Sequence, residues 1–115
     1  MKNLKNRVQL IGNIGKEPQI KTFDSGKTMA SFSLATSETY LDQNGKKVQD
    51  TQWHQLVAWG KTASYVESYL EKGNRIAVEG KLTHRSYVDK DGNTRYITEV
   101  LVNEILLLTS KPVAA

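Results

Sequence analysis

Along most of this chain apolar side chains recur at every second position, and glycine-centred turn signals separate the alternating stretches. In Met29–Thr36, Ala30, Phe32 and Leu34 alternate with Ser31, Ser33 and Ala35. In Gln52–Trp59, Trp53, Gln55, Val57 and Trp59 take one face, and His54, Leu56 and Ala58 the other. Arg75–Tyr87 sets Ile76, Val78, Gly80 and Leu82 against Glu79, Lys81, Thr83, Arg85 and Tyr87, and Thr94–Leu108 puts Tyr96, Thr98, Val100 and Val102 on one side. A period of two predicts half-buried strands. Two shorter extended stretches precede them, Arg7–Ile11, with Val8 and Leu10 on a common face, and Gln19–Phe23.

Turns fall where glycine supplies a positive φ: Asp24-Ser25-Gly26, Asn44-Gly45 and Asp89-Lys90-Asp91-Gly92-Asn93. The polar stretch Thr39–Thr51 therefore predicts a projecting β-hairpin, and its Asn-Gly pair predicts a type I′ turn. One segment has helical spacing. Ala63, Val66, Tyr69 and Leu70 predict a helix over Thr62–Lys72, with Thr62 as the starting cap and Gly73 as the stop.

A chain of 115 residues suits one domain that buries about two-thirds of its unfolded surface. The expected organisation is a single domain over 1–108 and a short C-terminal extension over 109–115 with no acidic tail. Cysteine is absent, which excludes disulfides, thiolate metal sites and a cysteine nucleophile. No apolar run approaches the ~20 residues of a membrane helix. The start, where Gln9 and Asn13 interrupt the apolar residues, is too polar for a signal peptide. The expectation is a soluble, unexported, cytoplasmic protein. Net charge is +4, and all of it lies in the first half, with nine basic against five acidic residues up to Lys61 and seven of each from Thr62 onward. That biases the chain towards anionic partners.

Read in order, the elements run strand, strand, strand, helix, strand, strand. This is the order of the OB-fold, an all-β, five-stranded Greek-key barrel with one short helix, whose surface binds oligonucleotides or oligosaccharides. Periodicity alone leaves an SH3-like barrel or an irregular α+β sheet open.

Catalytic motifs are not met. Gly60-Lys61-Thr62 resembles the end of a phosphate-binding loop, but Gln55 stands where the leading glycine belongs. His54 and His84 lie far apart without metal-ligand partners. No GxSxG elbow occurs. Neither an enzyme, a metal nor another cofactor is expected.

The aromatic residues point elsewhere. A strand in a small barrel has one interior face. If Leu56 and Ala58 occupy it, Trp53 and Trp59 are outside, with Tyr40 and Tyr87 on neighbouring strands. Single-stranded nucleic acid binding uses aromatic platforms, worth about 1–3 kcal/mol per stacked base, in a basic groove. Lys46, Lys47, Lys61, Lys72 and Arg85 are candidate groove charges. The alternative is that the tryptophans are core residues and the lysines ordinary surface.

Several blocks in order carry a resemblance: Asn6-Arg7-Val8 with Gly12-Asn13-Ile14-Gly15, Ala35-Thr36-Ser37-Glu38, Trp53-His54, Trp59-Gly60-Lys61, Tyr69-Leu70-Glu71-Lys72-Gly73, Val78-Glu79-Gly80 and Arg95-Tyr96-Ile97-Thr98-Glu99-Val100. From about Asn6 to Leu108 the chain resembles the bacterial single-stranded DNA-binding protein family. The resemblance implies an OB-fold subunit, normally in a homotetramer, that coats single-stranded DNA without sequence preference in replication, recombination and repair, in the cytoplasm at the nucleoid. By position it puts Tyr40, Trp53, Trp59 and Tyr87 on base-stacking sites. Lys61, Lys72, Arg85 and Arg7 fall on basic contact sites, and His54 falls at a subunit interface.

Three departures accompany it. Tyr40 and Tyr87 stand where the best-known members carry Trp, and Gln55 stands where they carry Arg. Smaller rings and one cation fewer per subunit imply weaker stacking and a lower salt dependence, since each phosphate contact contributes about −0.7 to the log–log slope on single strands. Family members also usually continue into a disordered linker and an acidic tip, whereas the last acidic residue here is Glu104. Partner recruitment through a tail is therefore not expected. Two rival readings stay open: a dimeric primosome accessory protein, and a protein-interaction subunit whose aromatic face is an oligomer interface.

Overall fold

A computed structural model of the chain describes residues 5–109. Residues 110–115, most of the expected C-terminal extension, lie outside the described residues. The elements are β1 (Val8–Ile14), β2 (Gln19–Thr22), β3 (Thr28–Leu41), β4 (Lys47–Trp59), α1 (Gly60–Tyr69), β5 (Arg75–Val88) and β6 (Thr94–Leu107). The strands form one sheet in the order β1-β5-β6-β4-β3-β2, and a further β1–β3 pairing closes five of them into a barrel. The short β2 pairs only with β3 and hangs outside the ring. All pairings are antiparallel except β4 with β6, where Leu56 faces Val100 and Val57 faces Leu101.

Closure depends on β1 changing partner. It runs beside β5 from Val8↔Gly80 to Asn13↔Arg75, then joins β3 through Asn13↔Ala35 and Ile14↔Leu34. At the switch, a side chain on Gly12 would meet the Ala35 carbonyl oxygen at 2.1 Å, so only glycine lets the two backbones approach.

The alternation read from the sequence fills the barrel. Ala30, Phe32 and Leu34 of β3, Leu56 and Ala58 of β4, Ile76 and Val78 of β5, and Val100 and Val102 of β6 form one buried cluster. Ala63, Val66 and Leu70, from α1 and the residue that follows it, close one end, with the helix packed against β3, β4 and β6. Val8 and Leu10 pack against the same cluster, as their shared face predicted.

Several boundaries differ from expectation, each for a local reason. The helix begins at Gly60, whose φ of +59° turns the chain sharply out of β4, so Thr62 lies inside it and caps nothing. It ends at Tyr69. Leu70 turns extended into the core, and the Asn74 side chain accepts the Glu71 N–H at 2.7 Å, which stops the helix short of Lys72. A bulge opposite Glu79/Gly80 leaves Asn103 as an extra residue on β6, and Leu82, which keeps the inward parity of β5, is exposed all the same. Tyr96 and Thr98 keep the parity of Val100 and Val102, but their part of the hairpin runs beyond the barrel, and Tyr96 is largely exposed.

The Thr39–Thr51 stretch does project as a hairpin, with β3 and β4 paired without a break from Met29↔Trp59 to Leu41↔Lys47. Its turn is not type I′. Gly45 N–H donates to the Asp42 carbonyl at 3.1 Å, and among the described residues only glycines take positive φ, so the turn is type I followed by a left-handed Gly45. The Asp42 side chain selects it by accepting the N–H groups of Asn44 and Lys46. The loops at Gly26 and Gly92 repeat this backbone pattern. The projecting hairpins enlarge the molecule: its Cα radius of gyration is 16.6 Å, against about 13 Å for a compact domain of this length.

Leu56 is fully buried, so Leu56→Ala should cost about 2–5 kcal/mol. Gly12→Ala should cost about 1–3 kcal/mol through the forced backbone shift. Urea unfolding measures both, and a Gly12→Ala protein as stable as wild type would contradict closure through a close β1–β3 approach.

Candidate nucleic-acid interface

The interior takes the even-numbered residues of β3 and β4, so the odd-numbered residues form the outer face. Trp53 is 60% exposed and Trp59 42%, while Leu56 and Ala58 behind them are fully buried. Opposite Trp53, Gln55 and Val57 on β3 stand Ala35, Ser33 and Ser31, a floor of small side chains that leaves the ring edges open. Trp53 rests on Gly15, where an added methyl would lie 2.3 Å from the indole ring. Together with Lys16, Glu17, Gln19 and Gln55, these residues line an open groove of about 400 Å³.

Trp59 has a partner that sequence reasoning missed. Phe23, just after β2, stacks on it with ring centroids 5.7 Å apart and planes 23° from parallel. Lys21 Nζ sits 5.0 Å from the Phe23 ring centre. Residues 21–23 and 59 meet only because β2 pairs with β3 and β3 with β4. The only hint in the sequence is an aromatic residue beside a turn.

The outer face continues across the parallel β4–β6 junction, where Val57 and Leu101 are neighbours, onto β5. There Thr83 faces Glu99, Arg85 faces Ile97 and Tyr87 faces Arg95. By strand alternation Trp53, Trp59, Arg85 and Tyr87 therefore share one surface, and Tyr87 is exposed. Tyr40 does not share it. Paired with Val48, it has the parity of Leu34 and Leu56 and so lies on the other side of the β3–β4 ribbon, also exposed.

The basic residues divide in two. Arg7 pairs with Glu79 at 2.5 Å, Arg85 with Glu99 at 2.8 Å and Arg95 with Asp89 at 2.8 Å. Lys61, in the first turn of α1 beside Trp59, and Lys72, in the turn after α1, are exposed and form no ion pair with a described residue. The Lys72 backbone N–H donates to Glu17 at the groove rim. Lys46 and Lys47 sit at the tip of the β3–β4 ribbon. Arg7 lies at the opposite end of β1 from the Gly15–Trp53 contact. His54 is half-buried on the inward-facing side of β4, its Nε2 2.9 Å from Thr36 Oγ1. Among the described residues no group of three or more His, Asp or Glu could hold a metal, and no helix is long and apolar enough to cross a membrane.

The β5–β6 tip is held by a carboxylate. Asp89 accepts the backbone N–H groups of Asp91 and Asn93 and the Arg95 guanidinium. Arg95 above all, then these backbone groups, holds its carboxyl below the ordinary 3.8.

Comparison with known proteins places these features. The profile of the single-strand binding protein family matches residues 5–108. The single-stranded DNA-binding protein of Bacteroides thetaiotaomicron is 43% identical over 108 residues, 92% of this chain and 67% of that protein. Single-stranded DNA-binding protein 1 of Chlorobaculum tepidum is 40% identical over 107 residues, 92% of this chain and 66% of its own length. The chain thus spans about two-thirds of these relatives. Among solved structures, a Plasmodium falciparum SSB in complex with ssDNA superposes with a TM-score of 0.83 at 31% identity, covering 95% of this chain and 99% of that one. A deletion mutant of the Thermus aquaticus single-stranded DNA binding protein gives 0.78 at 28% identity, covering 92% and 51%. The OB-fold expected from the element order is the fold of this chain.

Two outcomes are expected. Gly15→Ala should dislodge the Trp53 ring and shift tryptophan emission while far-UV circular dichroism stays unchanged; an unaltered emission spectrum would refute the contact. The folded-state pKa of Asp89 is depressed, so its ordering of the hairpin is complete above the ordinary aspartate range and is lost as pH falls through the depressed value. The amide shifts of Asp91 and Asn93 should therefore titrate with a midpoint below 3.8, and a midpoint above it would contradict the assignment.

Proposed function

The chain belongs to the single-strand binding protein family, and from that premise we infer that it binds single-stranded DNA without sequence preference, as a coat rather than an enzyme, in replication, recombination and repair. The observation that carries this is the pair Trp53 and Trp59, exposed on one face while Leu56 and Ala58 of the same strand fill the core.

Bases unstack from one another and stack on these rings, which no base sequence is required to satisfy because every base has a π-face. Tyr87 extends the platform along β5. Phe23 covers one side of Trp59, stiffening it and leaving its other side for a base. Lys61 and Lys72 neutralise phosphates. A strand that also reaches Tyr40 passes around the edge of the β3–β4 ribbon, with Lys46 and Lys47 at its tip. Arg7, held by Glu79 at the far end of β1, contributes least.

A homotetramer is the proposed assembly. Its support is a row of side chains on the outer surface of β1, β5 and β6, Ile11, Ala77 and Leu106, two of them exposed hydrophobics. His54 is proposed to meet a second subunit with the face it shares with Thr36. The proposed place of action is the cytoplasm, on the nucleoid.

Titrating oligo-dT at low salt should quench tryptophan fluorescence. Trp53→Ala and Trp59→Ala should each weaken binding by about 1–3 kcal/mol on all sequences alike. Emission that responds to protein dilution and ignores DNA would overturn the reading in favour of an oligomer interface. Native mass spectrometry should give four subunits; two would favour the dimeric accessory role.

A further inference from the structure

We propose that Glu99 is a positioning residue that neutralises Arg85 where it stands, so that Arg85 meets DNA as a flat plate for bases and not as a cation for phosphates. This rests on the single-stranded DNA reading of the same face.

Glu99 is an anomaly on that face. It has the outward parity of Ile97 and Leu101, yet it is only 8% exposed, a carboxylate almost enclosed within a surface proposed to receive a polyanion. Its Oε1 accepts Arg85 Nε at 2.8 Å, with the Glu99 side chain 10% exposed and that of Arg85 57%. A carboxylate so poorly hydrated cannot cheaply give up its cation, because an unpaired charge would be left behind. Arg85 is therefore not free to swing onto a phosphate, and a phosphate approaching it meets a pair of zero net charge with an anion beneath.

The bond through Nε has a second effect. It holds the guanidinium through its inner edge, while the Arg85 side chain as a whole stays more than half exposed. A fixed planar cation stacks on rings and bases, and Tyr87 lies two residues further along the same row. Lys61 and Lys72, with no ion pair to a described residue, keep their charge for phosphates. Counterion release then belongs to the lysines, and Arg85 contributes affinity without contributing salt dependence.

The test is a set of oligo-dT titrations of the full chain over a range of salt concentrations, comparing log–log slopes. Lys61→Gln should make the slope shallower by about 0.7 for each phosphate that is no longer neutralised. Arg85→Gln combined with Glu99→Gln, which leaves no unpaired carboxylate behind, should weaken binding about tenfold and keep the wild-type slope. Glu99→Gln alone should release Arg85 to phosphate and make the slope steeper by about 0.7. A shallower slope in the double variant, or a wild-type slope in a folded Glu99→Gln, overturns the proposal. If Glu99→Gln does not fold, the slope of the double variant decides alone. Failure of the wild-type chain to bind oligo-dT would instead refute the reading on which the proposal rests.

Discussion

The interior of a small barrel accepts one row of side chains per strand, and the whole surface of this protein follows from that limit. Leu34, Leu56, Ile76 and Val66 are fully buried and fill the available volume. No space is left for an indole. Two tryptophans on β4 are thereby committed to solvent, at a hydration cost that nothing in the subunit recovers except partial packing on Gly15 and Phe23. Aromatic area held out in this way is stabilised when a ligand covers it.

Charge is arranged with the same economy. Three ion pairs among the described residues use arginine, and each ties a cation to a carboxylate on a neighbouring strand or turn. They act as short struts across the sheet. Lysine, whose ammonium group is compact, strongly hydrated and mounted on a flexible stem, occupies the tip of the ribbon and the edges of the aromatic face. Long-range attraction of a polyanion and local rigidity of the sheet thus fall to different residue types, although composition counts both simply as positive.

What the sequence made legible is what depends on near neighbours. Period-two alternation is local, so the inward rows of β3, β4 and β6 were readable, as was the outward position of Trp53 and Trp59 that follows from Leu56 and Ala58 facing in. The positions of the hairpins were readable too, because glycine marks them. Turn type was not: Asn44-Gly45 by itself favours the mirror-image turn, and the Asp42 side chain, two residues earlier, decides otherwise by collecting two N–H groups. The helix ended early because of Asn74, outside its own periodic pattern. The contacts that shape the aromatic face, Gly15 under Trp53, Phe23 on Trp59 and Glu99 against Arg85, join elements that pattern reading treats one at a time, and it has no access to them. Tyr40 is the instructive residue. Its identity as an exposed aromatic was apparent, but the side of the ribbon it faces required knowing the register.

That register gives the ribbon a rule of inheritance. Because β3 and β4 pair without a bulge from the barrel wall to the tip, an insertion of two residues in each arm would lengthen the projecting arm and keep every ring on its present side. An odd insertion in both arms would reverse the tip and carry Tyr40 to the side of Trp53. Descendants of such a chain can therefore vary the reach of the arm in even steps without renegotiating the barrel, while odd steps redraw the path of anything wrapped around it.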